Sequence, residues 1–181
     1  MGVDLYVYSP HESIVTSEEL RQELRSQGWD VRFVLDQTEP VLEPADEGPL
    51  IDLLDVIGWP AASERGVLVA GAIDGHDPKS LQSLYDEGVV GTCGYSVQSP
   101  YDFERELELD EEFDDEEEDQ EPIEASCLEA MRRARTKYTL RVRIRSSSQS
   151  YKFLDVVWQA IGQLRGGLLV DPQSGEFRHV K

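Results

Sequence analysis

His11-Glu12 opens like the HExxH helix of a zinc protease, in which two His residues one turn apart hold the metal and the Glu acts as base. Val15 stands where the second His is required, so that chemistry is excluded. Gly94-Tyr95-Ser96-Val97-Gln98 begins like a nucleophile elbow but has Gln98 in place of the closing Gly. Gly71–Gly75 lacks the Gly-Lys-Ser/Thr ending of a phosphate loop. His11, His76 and His179 are scattered, and Asp74 and Asp77 read as loop-forming and helix-capping residues. The two cysteines, Cys93 and Cys127, have no paired metal-ligand spacing and are too few for a disulfide scaffold. Counted as a calcium loop from Asp110, the residues Glu112, Asp114, Glu116, Glu118 and Glu121 fall on ligand positions. Asp115 then occupies the sixth position, where the sharp turn needs Gly. These residues predict a protein that is not an enzyme and carries no cofactor and no dedicated metal.

Charge is the strongest chemical signal left. Asp102–Glu124 holds fifteen Asp or Glu residues against Arg105 alone, so −14 of the chain's −20 sits in this segment. Leu128–Lys152 follows with eight Lys or Arg and one Glu, a local +7. The total opposes binding to nucleic acid or anionic lipid, which needs clustered cations. The tract reads as a solvated loop kept for solubility, the commonest role of a charge run, as one side of internal ion pairs, or as a contact surface for a basic protein partner drawn in by the summed field. Three Arg on one strand face (Arg141, Arg143, Arg145) could grip phosphates, but the acidic tract beside them would compete. Those Arg are better read as ion partners for Glu104, Glu106 and Glu108 on a neighbouring strand. Such cross-strand pairs contribute about 0.2–1 kcal/mol each and so would set register more than stability.

At 181 residues with a 39% apolar share, the chain can bury one ordinary core. No leader follows Met1 and no apolar run is long enough to cross a bilayer, so a soluble cytoplasmic protein is expected. VDLYVY (3–8) reads as a strand. Thr16 and Glu19 form a capping box, with Val15 and Leu20 as its hydrophobic staple, and Gly28 ends the helix. Val31, Phe33 and Leu35 alternate as a second strand. Leu50, Leu53, Leu54 and Ile57 have helical spacing. Val67–Ile73 reads as a strand, Asp77–Gly88 as a capped helix and Val89–Val97 as a strand.

Tyr101, Phe103, Leu107 and Leu109 alternate with acids, which predicts a strand with one acidic face, followed by a flexible acidic loop at about 110–122. Ser126–Lys137 is expected to be helical. Tyr138, Leu140, Val142 and Ile144 alternate with Thr139, Arg141, Arg143 and Arg145 as a strand. A helix from about Ser150 carries a buried stripe through Leu164. Gly166-Gly167 stops it, and Asp171–Gly175 turns a closing hairpin. About three β-α-β-like units predict a single α+β domain over 1–181, a sandwich of a mixed sheet with helices packed on it.

In size, acidity, single-domain α/β make-up and lack of catalytic motifs, the chain resembles the small acidic immunity proteins of bacterial toxin–immunity systems. The sandwich-like pattern and the run Glu104–Glu124 carry the likeness. The resemblance implies that the acidic surface docks on the basic cleft of a cognate toxin and blocks substrate entry. The expected partner-binding residues are Tyr101, Phe103, Glu108, Asp110, Glu112, Phe113, Asp114, Asp115, Glu116, Glu117, Glu118 and Asp119. The aromatics among them are the expected anchors. An adaptor or regulatory subunit of a larger assembly, and an enzyme with a site at the strand ends, are the alternatives.

Overall fold

The structure is a computed structural model that describes residues 2–34, 50–62, 65–66, 83–107, 123–143 and 147–181. In chain order the elements are β1 (Gly2–Ser9), α1 (Ser17–Ser26), β2 (Trp29–Val34), β3 (Leu50–Pro60), β4 (Gly91–Gln98), α2 (Ala125–Arg133), β5 (Thr136–Arg143), α3 (Ser148–Arg165), β6 (Gly167–Asp171) and β7 (Glu176–Val180). Among the described residues the strands form one seven-stranded sheet in the order β2-β3-β4-β5-β1-β6-β7. This is the expected α+β class.

The pairing differs from the mixed sheet expected. Every neighbouring pair among the described strands is antiparallel. The alternation still makes β1 parallel to β2 and β5 parallel to β6, as helical crossovers require. A crossover fixes the direction of the next strand but not its neighbour. The connection through α3 strides over β1, and the one through α1 strides over three strands.

Alternation decides which side chains meet the helices. Leu5 and Val7 of β1, Cys93, Tyr95 and Val97 of β4, and Tyr138, Leu140 and Val142 of β5 share one face. α1 and α3 cover that face with Leu20, Leu24, Phe153, Leu154, Val157 and Ile161. Gly58 and Gly91 are paired across β3 and β4 directly beneath Phe153. A Cβ on Gly58 would stand 2.2 Å from the Phe153 ring, so the two glycines let α3 lie close to the sheet. Tyr138 and Tyr95 are buried here, and burial pushes both phenols above their ordinary range. The Tyr138 hydroxyl accepts a bond from the Val15 N–H at 3.1 Å.

The stretch 50–59, helical by spacing, is strand β3 instead. The register steps from Ile51↔Val97 to Leu54↔Tyr95, which inserts one extra residue on β3. A bulge of this kind breaks period 2 and imitates a helical interval. Further along, Val56 packs in the main core while Ile57 and Trp59 pack with Val90 in a separate cluster. The helix expected over 126–137 ends at Arg133, and β5 begins at Thr136. The strand expected over 67–73 and the first half of the helix over 77–88 lie outside the described residues; residues 83–86 are helical.

The capping box at α1 forms as expected, and Glu19 has a second task. Its carboxylate accepts from the Thr16 N–H at 2.9 Å and from Arg165 Nη2 at 2.6 Å. Arg165 also donates to the Ser13 and Ile14 carbonyls, joining α3's end to the loop before α1. The Thr16 N–H, with help from Arg165, lowers the Glu19 pKa to about 2. A lowered carboxylate pKa stabilises the fold above the ordinary value of 4.5 and loses that contribution as pH falls toward 2. The side chain is 42% exposed, so solvent screens the effect. Glu19→Gln should therefore lower the urea midpoint at pH 6–7, and the gap to the native protein should close as pH falls from 4.5 toward 2. A gap independent of pH would assign the loss to packing.

Candidate partner-binding surface

The other face of the sheet carries the acidic tract's attachment. Tyr6 and Tyr8 of β1, Leu168 and Val170 of β6, and half-buried Phe177 of β7 form an apolar floor. α2 lies on it through Cys127, Ala130 and Met131. The chain enters this region through a chain of hydrogen bonds. The Thr136 hydroxyl donates to the His11 carbonyl at 2.8 Å and lies 3.2 Å from the Ser99 hydroxyl. The Tyr101 N–H donates to the Arg135 carbonyl, and the Arg135 N–H to the Ser9 carbonyl, each at 2.8 Å.

Residues 103–107 then form a helical turn where a strand is expected from the alternation. Asp102 explains the difference. Its side chain accepts from the Arg105 N–H at 3.3 Å, and its carbonyl accepts from the Glu106 N–H at 3.2 Å, as a helix-starting Asp does. Tyr101 is buried rather than an exposed anchor, packing edge-on to Tyr8 at 5.5 Å. Burial pushes its phenol up. Phe103 is half-buried against α2's cluster, under the Arg132 guanidinium at 5.8 Å.

For Glu104, Glu106 and Arg141 the ion pairs differ from the expected ladder; Glu108, Arg145 and the side chain of Arg143 lie outside the described residues. Glu104 meets Arg132 at 3.6 Å, and Glu106 meets Lys137. Arg141 holds Asp4 of the neighbouring strand through two bonds of 2.7 Å. Those bonds push the guanidinium pKa above its ordinary value. Strand pairing explains the change: Arg141 lies directly opposite Asp4 on β1, whereas residues 103–107 are not in the sheet at all.

Lys137 has the most unusual surroundings. Its ammonium lies 4.6, 5.4 and 5.8 Å from the ring centres of Tyr6, Tyr8 and Tyr101. Ring faces attract a cation, and more so when water is partly excluded. The sequence reading missed this residue. Its signal was nonetheless present: Lys137 continues the polar side of the β5 alternation, and Tyr6 and Tyr8 share one side of β1 by their spacing of two.

Past the tract, Ile123 is exposed and Glu124 precedes α2, whose Cys127 and Met131 pack on the same floor as Tyr101 and Phe103. The elements on either side of the stretch 108–122, the turn 103–107 and α2, thus pack on one patch of the protein through Phe103, Cys127 and Met131. The expected partner-binding residues Glu108, Asp110, Glu112, Phe113, Asp114, Asp115, Glu116, Glu117, Glu118 and Asp119 lie outside the described residues. Leu107 and Ile123, which bracket that stretch, are two of the three exposed large hydrophobics among the described residues.

Among the described residues no group of three His, Cys, Asp or Glu is placed to hold a metal ion. Both cysteines are free and buried, and burial pushes the Cys93 thiol well above its ordinary range, away from nucleophile chemistry. No helix of the described residues is long and apolar enough to cross a membrane. No protein-family model, curated protein or solved structure matches the chain.

Proposed function

We propose that this is a non-enzymatic binding protein whose acidic surface captures a basic protein partner, and that it acts as an immunity protein neutralising a cognate toxin. The supporting observation is where the basic block's charge goes. Of its eight cations, Arg132, Arg133, Lys137 and Arg141 are paired with Glu104, Glu129, Glu106 and Asp4. These four are thereby taken up by acids outside residues 108–122, a stretch with eleven Asp or Glu and no Lys or Arg. Such a field attracts a basic surface and repels acidic ones, which speeds association and rejects wrong partners. For an inhibitor of a toxin, fast capture is the property that matters.

The test is replacement of Glu116–Asp119 by Ser, with association to the captured partner followed at two salt concentrations. Association should slow by about tenfold or more at low salt, and its salt dependence should flatten. The unfolding midpoint should not move. Unchanged association would remove acidic docking as the mechanism.

A further inference from the structure

We propose that Lys137 is the positioning residue of this surface: with Glu106 it forms a clasp that holds the turn 103–107, and so the start of the acidic stretch, at one place on the sheet. The proposal rests on reading the tract as the docking surface and adds what holds the tract's first residues, 102–107, to the sheet.

The turn is attached by two ion pairs of very different character. Arg132 and Glu104 meet at 3.6 Å with side chains 54% and 70% exposed, and an exposed pair of this kind contributes little. Lys137 and Glu106 are only 12% and 28% exposed. Their charges are partly removed from water, so loss of either partner leaves the other without compensation in a poorly solvated place. Three tyrosine rings, with centres 4.6–5.8 Å from the ammonium, add cation–π attraction. Lys137 itself cannot wander, because it lies within β5, opposite Tyr8 of β1 and Gln98 of β4. A rigid strand therefore presents the cation, and the turn comes to it. Phe103 adds apolar contact, but it is half-buried and next to the exposed Arg132. The clasp decides whether the turn stays down.

The measurement uses a spin label at Leu107→Cys, an exposed position one residue past Glu106. Cys93 and Cys127 are both buried, so the label goes to the new thiol. In the otherwise native chain the label should report an ordered backbone. Lys137→Met, which keeps the stem against the rings and removes the charge, should shorten its correlation time by about fivefold or more. Glu106→Gln should do the same from the turn's side, and it serves as the test should Lys137→Met fail to fold. Lys137→Arg should keep the ordered spectrum. The same spectrum in native, Lys137→Met and Glu106→Gln proteins would overturn the clasp, as would equal loosening in Lys137→Arg. No partner is present in this experiment, so its failure leaves acidic docking standing. Failure of the serine replacement to slow association would remove docking and leave the clasp.

Discussion

Phe153→Ala will lower the free energy of unfolding by about 3–5 kcal/mol, the range for truncating a buried aromatic. Phe153 is 0% exposed and packs against Trp29 with ring centres 5.1 Å apart. The upper part of the range is expected because the site cannot collapse. Below the ring lie Gly58 and Gly91, which have no side chains to move into the space, on strands fixed by their ladder. Restoring atoms from below offers a check. Gly58→Ala alone should destabilise, because its Cβ would fall 2.2 Å from the ring. In the Phe153→Ala background the same change should recover part of the loss, a coupling between touching residues. Urea unfolding followed by tryptophan fluorescence reads both. A single-mutant loss under about 1.5 kcal/mol, or strict additivity of the pair, would contradict this packing.

Gly167→Ala should be similarly costly, about 2–6 kcal/mol from backbone strain and overpacking together. Gly167 opens β6 with φ 112°, a conformation that L side chains rarely adopt. An added Cβ would lie 2.1 Å from the Tyr8 carbonyl oxygen and 3.0 Å from Ser9 Cα. Both are backbone atoms of the neighbouring central strand, so no side chain can swing away. Gly166 next to it is the control. Its φ is 61° and a Cβ there would meet nothing nearer than 3.4 Å. Its ψ of −173° places it in a region almost exclusive to glycine, so Gly166→Ala should cost about 1–3 kcal/mol, from backbone strain without the overpacking. Equal effects at the two positions would mean that the close approach of β6 to β1 is wrong.

The two glycines also show what was legible in the sequence. Features set by neighbours in the chain were readable: the Thr16–Glu19 box, the alternation over 138–142, the stripe from Phe153 to Leu164 and the Asp171–Gly175 turn all stand where the residues place them. Features set by distant neighbours were not. The bulge in β3 depends on its register against β4, so residues 50–59 carried a false helical interval. Asp102 outweighed the alternation of Tyr101, Phe103 and Leu107, because a local cap satisfies the turn's N–H groups without needing a strand partner. The candidate surface was half readable. The charge contrast between Asp102–Glu124 and Leu128–Lys152 is plain in the sequence. That Asp4 takes Arg141 and Glu106 takes Lys137 follows only from strand order and from the turn at 103–107.

Affinity capture of the chain from its own cells, at low and then high salt, will show whether the acidic surface holds a basic protein. Exposed charge pairs weaken as salt shortens the screening length from about 10 Å at 0.1 M to about 3 Å at 1 M. One stoichiometric basic protein is expected at low salt, released at high salt and captured poorly by the variant with Glu116–Asp119 replaced by Ser. No partner at either salt concentration, or an acidic partner indifferent to salt and to those four residues, would contradict acidic docking.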